Sequence, residues 1–143
     1  MSGAAELRFV GAVESALAEE GEAPKQADEG APPATLRIEP EFAACCEGLN
    51  AGDHVVVLTW LDRADRGVQA VHPRGDLDRP LTGVFATRSP ARPNPVGLHR
   101  VELVAISGGG GDPRRLRVDA LEALDGTPIL DLKPVLAAEA ALR

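Results

Sequence analysis

The sequence predicts an all-β fold, a barrel or sandwich of six or seven short strands with one or two small helices. Short runs that are β-branched or alternate between apolar and polar residues recur along the chain. Glycine and proline, 15 and 12 of the 143 residues, punctuate those runs. No βαβ unit is legible, and no Gly-x-Gly-x-x-Gly opens a helix after a strand, so a Rossmann-type nucleotide site is unsupported.

Leu7–Val13 is apolar and reads as a first strand. Residues 18–33 (AEEGEAPKQADEGAPP) set five acids against one lysine among Ala, Gly and Pro, which predicts a flexible acidic loop. ATLRIE at 34–39 alternates with the two-residue period of a half-buried strand. Pro40 and the following EFAACCEGL suit a short helix with proline in its first turn, ending near Gly48 or Asn50. HVVVLTWL at 54–61 is a continuous β-branched run, the pattern of a strand covered on both faces. Residues 62–80 lack apolar periodicity, and loops of that length are usually functional or disordered. TGVFAT at 82–87 and HRVELVAI at 99–106 read as strands, and Gly108–Gly111 as a flexible hairpin connection. RLRVDALEAL at 115–124 alternates at first, TPILDLKPV at 127–135 begins a last extended piece, and the alanine-rich tail suits one or two helical turns.

At 14.9 kDa and 44% hydrophobic residues, the chain fits one domain over 1–143 with a sizeable core. Three Phe, one Trp and no Tyr speak against a nucleic-acid platform of stacked rings. A net charge of −7 argues against a large basic face, yet residues 61–100 carry seven arginines against four aspartates. A small anionic ligand therefore stays open. Cys45 and Cys46 are adjacent, badly placed for an ordinary disulfide, and read as thiols of a reducing compartment. No Cys–His spacing suggests a metal site. No signal-peptide pattern or membrane-length apolar run is present, so a cytoplasmic location without membrane association is expected.

Two segments stand apart. In GVFATRSPARPNPVGLHRVEL (Gly83–Leu103), Pro90, Pro93 and Pro95 stiffen the path that carries Arg88, Arg92 and Asn94. Arginine offers a planar fork for carboxylate or phosphate, and asparagine both a donor and an acceptor. The residues alone leave two readings open: a preorganised site, or a proline-rich turn with solvated arginines. In LDGTPILDLKP (Leu124–Pro134), Asp125-Gly126 is a turn dipeptide, while Asp131 and Lys133 alternate onto one face. They form a structural ion pair or part of a polar pocket. Of the scattered His54, His72 and His99, His99 is the one at a strand start beside the insert. Trp60 reads as core or pocket wall.

These two segments, in this order, closely resemble the signature of the TsaA-like family, also called TrmO-like or YaeB-like. FVGAVES and ATLRIEPEFAACCEGLNAGDHVVVLTWLDRAD extend the resemblance over nearly the whole chain. The resemblance implies a small closed β-barrel, here of six to eight strands, that binds S-adenosyl-L-methionine as a homodimer. It implies methyl transfer to the exocyclic N6 of threonylcarbamoyl-adenosine beside the anticodon of tRNA. A small metabolite as acceptor, or a binding module without chemistry, is the alternative. Family cofactor positions fall on Pro24, Lys25 and Gln26, on Leu61 and Asp62, on Arg88 and Leu98, and on Leu124, Asp125, Gly126 and Thr127. Arg92, Asn94 and Lys133 are candidates for the substrate, and Asp131 or His99 for a general base. Arg88 is expected at the ligand's charged end, with the 125–127 turn supplying backbone contacts.

The chain departs from the family pattern in places. Lys25 stands for an arginine, Leu61-Asp62 lacks a histidine, and Lys-Pro-Val replaces Lys-Pro-Tyr. The chain also ends soon after that motif, without the extension of the longer bacterial tRNA enzymes.

Overall fold

The protein is described by a computed structural model over residues 3–17 and 30–140. Residues 18–29 of the predicted acidic loop, with Pro24, Lys25 and Gln26, lie outside the described residues. The six main strands are β1 (Gly11–Glu14), β2 (Ala34–Ile38), β3 (His54–Trp60), β6 (Val96–Gly108), β7 (Arg114–Val118) and β8 (Pro128–Pro134). They close into a barrel in the order β1-β2-β7-β6-β3-β8, and every neighbouring pair is antiparallel, including β1 with β8. Closure pairs the backbone around the ring and leaves no free edge. A separate ribbon joins β4 (Ala70–Val71) to β5 (Thr82–Gly83), and α1 is a single turn at Ala137–Ala140.

Alternation decides what fills the barrel. Leu36, Leu103, Leu116, Leu121 and Ile129 are fully buried, with Val13, Val55, Val57 and Val118 around them. Each such side chain contributes roughly 1.5–3 kcal/mol on leaving water. β1 must approach β2 closely at Gly11, where a Cβ would collide with the carbonyl oxygen of Arg37. The β6–β7 hairpin turns through Gly108–Gly111, all four at positive φ, which glycine adopts without strain.

Several elements differ from the sequence expectation. β3 is fully buried on one face, while Val56, Leu58 and Trp60 on the other are half-buried. The helix after Pro40 is a 3-10 helix, Pro40–Cys46. The strand expected over 82–87 shrinks to β5 and then tightens into a 3-10 turn at Val84–Ala86, because the Thr87 amide bonds back to the Val84 carbonyl. β7 stops at Val118, and β1 begins only at Gly11.

The topology gathers the connections unevenly. The end of β1, the start of β2, the end of β3, the start of β6, the end of β7 and the start of β8 share one end of the barrel. Residues 15–17, 30–33, 61–95 and 119–127 belong to connections at that end. The 3-10 helix and the glycine hairpin close the other.

Candidate functional site

The barrel interior changes character toward the end that carries the long connections. Along the β3–β6 ladder the inward pairs run Val55↔Val101, Val57↔His99 and Thr59↔Gly97. Apolar packing thus gives way to a hydroxyl, an imidazole and a glycine. Against β8 the register shifts between Leu58 and Thr59, where Leu130 is the extra residue, while the alternation of β3 continues through Thr59. His99 Nε2 lies 2.7 Å from Thr59 Oγ1, and His99 Nδ1–H donates to Glu122 Oε1 at 2.7 Å. Thr59 is wholly buried and His99 5% exposed. Glu122 Oε2 is also buried, without a hydrogen-bond partner among the described residues. Gly97 belongs to this unit, since a Cβ there would collide with Thr59 Oγ1 and stand 2.7 Å from His99 Nε2.

Above this floor opens a groove of about 1440 Å³. Its wall is the proline-stiffened segment, and the arginines within it have different duties. Arg92 donates from Nη1 to the carbonyls of Thr87 (3.1 Å) and Ser89 (2.8 Å), and from Nη2 to that of Val84 (2.9 Å). Its guanidinium therefore knits the segment to itself. Arg66, from the facing loop, donates to the Pro93 carbonyl (2.7 Å) and to Asn94 Oδ1 (3.0 Å), and lies 5.2 Å above the Trp60 ring. Arg88, exposed on the same groove wall, has no hydrogen-bond or ion-pair partner among the described residues. Two cations hold the wall so that a third is presented.

Of the sequence-derived candidates, Leu61, Asp62, Arg88, Leu98, Leu124 and Thr127 line this groove. So do Arg92, Asn94 and His99, but Arg92 and the Asn94 oxygen are occupied as described, and both His99 ring nitrogens are engaged. Asp125 and Gly126 form the adjoining turn and face β1 instead. The Asp125 and Gly126 amides donate to the carbonyls of Leu17 (2.6 Å) and Val13 (2.7 Å), and Asp125 Oδ1 accepts from the Ser15 amide. The Thr127 amide and hydroxyl both donate to the Leu124 carbonyl. The three N–H groups of this turn are thus used within the fold, and a backbone contact from it to a ligand would have to come from the Asp125 or Gly126 carbonyl. Asp131 and Lys133 lie outside the groove on the outer face of β8, pairing with each other at 3.5 Å. They share a face because alternation requires it, and that face points away from the barrel. Sequence reasoning missed Thr59, Gly97, Glu122 and Arg66. A lone hydroxyl ending a valine run and an acid inside an apolar alternation were the available signals.

The same arrangement of strands recurs in known proteins. The family model described as the tRNA-methyltransferase O N-terminal domain matches residues 12–139. A "Probable S-adenosyl-L-methionine-binding protein" of Methanothermobacter thermautotrophicus is 43% identical over 128 residues, covering 90% of this chain and 88% of the relative. An "S-adenosyl-L-methionine-binding protein" of Archaeoglobus fulgidus is 36% identical over 127 residues, covering 89% and 86%. A crystal structure of TrmO from Pseudomonas aeruginosa superposes with a TM-score of 0.72 at 29% identity, covering 97% of this chain. The chain spans 59% of that structure's length. With the barrel, the signature segments and the family match all coinciding over nearly every described residue, the chain belongs to the TrmO family through its N-terminal domain.

Proposed function

We propose that this chain is an S-adenosyl-L-methionine-dependent methyltransferase whose acceptor is N6 of threonylcarbamoyl-adenosine beside the anticodon of tRNA. The observation that carries the reading is Arg88, a guanidinium without a partner among the described residues, on the wall of a groove that is apolar at Leu61, Leu98 and Leu124. This donor set fits the cofactor: a fork for the carboxylate, apolar surface for the nucleoside, and a buried carboxylate in the floor. When bound, the sulfonium supplies an electrophilic methyl group, and transfer asks chiefly for an acceptor held in line with the S–CH₃ bond. The chain's own contribution is positioning, since Asp131 is remote from the groove and both nitrogens of His99 are occupied.

The groove's polarity supports a polyanionic acceptor despite the overall charge of −7. Arg63, Arg74 and Arg79 line it together with Arg88. On the same connection Leu77, Leu81 and Phe85 are 80%, 64% and 87% exposed, apolar side chains that a second copy of the chain in a homodimer would cover. Among the described residues no helix is long and apolar enough to cross a membrane, and action on tRNA would place the protein in the cytoplasm.

The test is transfer of labelled methyl groups to total tRNA from cells lacking the activity, with Arg88→Ala alongside. Labelled tRNA is expected, together with a loss of roughly 10- to 100-fold in cofactor affinity for the variant, the range of a charged hydrogen bond. Label in a small-molecule extract alone would move the acceptor to a metabolite. Cofactor binding without transfer to either would leave a binding module.

A further inference from the structure

We infer that Glu122 is the counter-charge for the sulfonium of the cofactor, making the site selective for the charged donor over its neutral thioether product. The inference rests on the methyl-donor reading above and concerns how that same groove tells its two ligands apart.

The first step is hydrogen-bond accounting in the floor. Thr59 is completely buried, and its hydroxyl has one partner, His99 Nε2. A buried hydroxyl must donate its proton somewhere, because leaving it unpaired is costly. Nε2 is therefore the acceptor and carries no hydrogen, while Nδ1 carries one and gives it to Glu122 Oε1. The imidazole so bonded is neutral. Bonded this way the ring adds no positive charge to offset a Glu122 carboxylate, so the Thr59–His99–Glu122 unit can present that carboxylate's charge to the groove.

The second step concerns which cation this charge serves. Glu122 lines the groove, and its side chain is 12% exposed. Its unpaired Oε2 has almost no accessible surface. An ammonium needs acceptors that its hydrogens can touch, and Oε2 does not offer one. A sulfonium has no hydrogen to donate and responds to charge across a few ångströms of apolar surroundings, which a buried carboxylate supplies. The ligand's carboxylate and ammonium, both strongly hydrated, belong at the exposed rim with Arg88. Neighbouring anions do not duplicate the role: Asp62 and Asp65 are exposed, and Asp65 Oδ1 already accepts from the Gly67 amide. After transfer the sulfur is uncharged, the attraction to Glu122 is gone, and the product leaves more readily.

Calorimetry with the full chain tests this, using S-adenosyl-L-methionine and S-adenosyl-L-homocysteine as paired ligands. The wild type is expected to bind the sulfonium ligand more tightly than the thioether. In Glu122→Gln, which keeps an oxygen for His99, the thioether affinity stays within about twofold while the sulfonium affinity drops about tenfold. Retained thioether binding also certifies the variant as folded. An equal loss for both ligands would assign Glu122 to a group they share and overturn the inference. A wild type that binds the thioether as well as or better than the sulfonium ligand would overturn it without any variant. In both cases the donor site itself survives, whereas binding of neither ligand to the wild type would remove the donor reading and this inference with it.

Discussion

Substituting Gly97 by alanine isolates what the floor of the groove requires. Gly97 is not in the left-handed region, so alanine meets no backbone strain there. The added methyl would run into Thr59 Oγ1, lie 2.7 Å from His99 Nε2 and 3.2 Å from Leu61 Cδ2. Two of these atoms form a buried hydrogen bond on facing strands and cannot swing into solvent. Overpacking a tight interior costs about 1–3 kcal/mol. Separating Thr59 from His99 adds about 1–3 kcal/mol, because it leaves a buried polar atom unpaired. The expected loss is therefore about 2–6 kcal/mol, read as a fall in the urea midpoint of roughly a molar or more. Gly83→Ala is the control, since that glycine has φ −58 and open space at its Cβ, and it should move stability by less than about 0.5 kcal/mol. Thr59→Ala made in the Gly97→Ala background vacates the position the methyl needs. The double variant should then be more stable than the sum of the single effects by about 1 kcal/mol or more. A Gly97→Ala protein as stable as the Gly83→Ala control would refute the claim that the Thr59–His99 contact dictates glycine here.

Two further outcomes follow from the same geometry. Arg92→Lys keeps the charge but loses the fork that reaches three carbonyls, so residues 84–95 should exchange amide hydrogens faster by tenfold or more while the barrel strands remain protected. Cys45 is exposed and Cys46 buried, so a thiol reagent should titrate one cysteine in the native protein and the second on unfolding. Burial is the largest influence on the Cys46 thiol and raises its pKa above the ordinary 9.0, with Arg114 pulling partly the other way. Above pH 9 the unfolded chain gives up this proton before the folded one does, so the thiol's contribution to stability is intact below that pH and declines as pH rises beyond it. Cys46→Ala should flatten that alkaline decline in denaturant titrations.

Much of the barrel was legible because period-two alternation reports directly on which face of a strand meets the core. ATLRI and HVVVLTW became β2 and β3 with their alternate residues buried, and the four-glycine tract became the hairpin it suggested. The site was less legible because its parts come together only on closure. Thr59 and His99 are 40 residues apart in sequence, and His99 and Glu122 are 23 apart. Nothing local distinguishes Glu122 from a solvated acid until the 119–127 segment crosses the barrel end, with Leu121 and Ala123 buried on either side of it. For Asp131 and Lys133 the sequence left an ion pair or a pocket open, and the structure has the ion pair outside the groove. Their shared face was read correctly from alternation, but alternation does not say which face is the outer one.

The distribution of polar residues along the barrel axis separates two kinds of dependence. Thr59 stands on a strand laddered on both sides and His99 pairs with Val57 across the β3–β6 ladder, so the floor continues the core of the barrel. Arg88 stands on a connection, and it is the hydrogen bonds of Arg92 and Arg66, with the prolines, that limit where it can go. Floor and core share atoms in contact, so changing Gly97 or Thr59 must alter stability and ligand affinity together. Arg88 makes no hydrogen bond or ion pair among the described residues, so its loss should alter affinity far more than stability. Rigid floors suit the part of a ligand that reacts, where a displacement of an ångström is costly. A wall stiffened by side chains can admit and release what binds, and this chain puts Arg88 there.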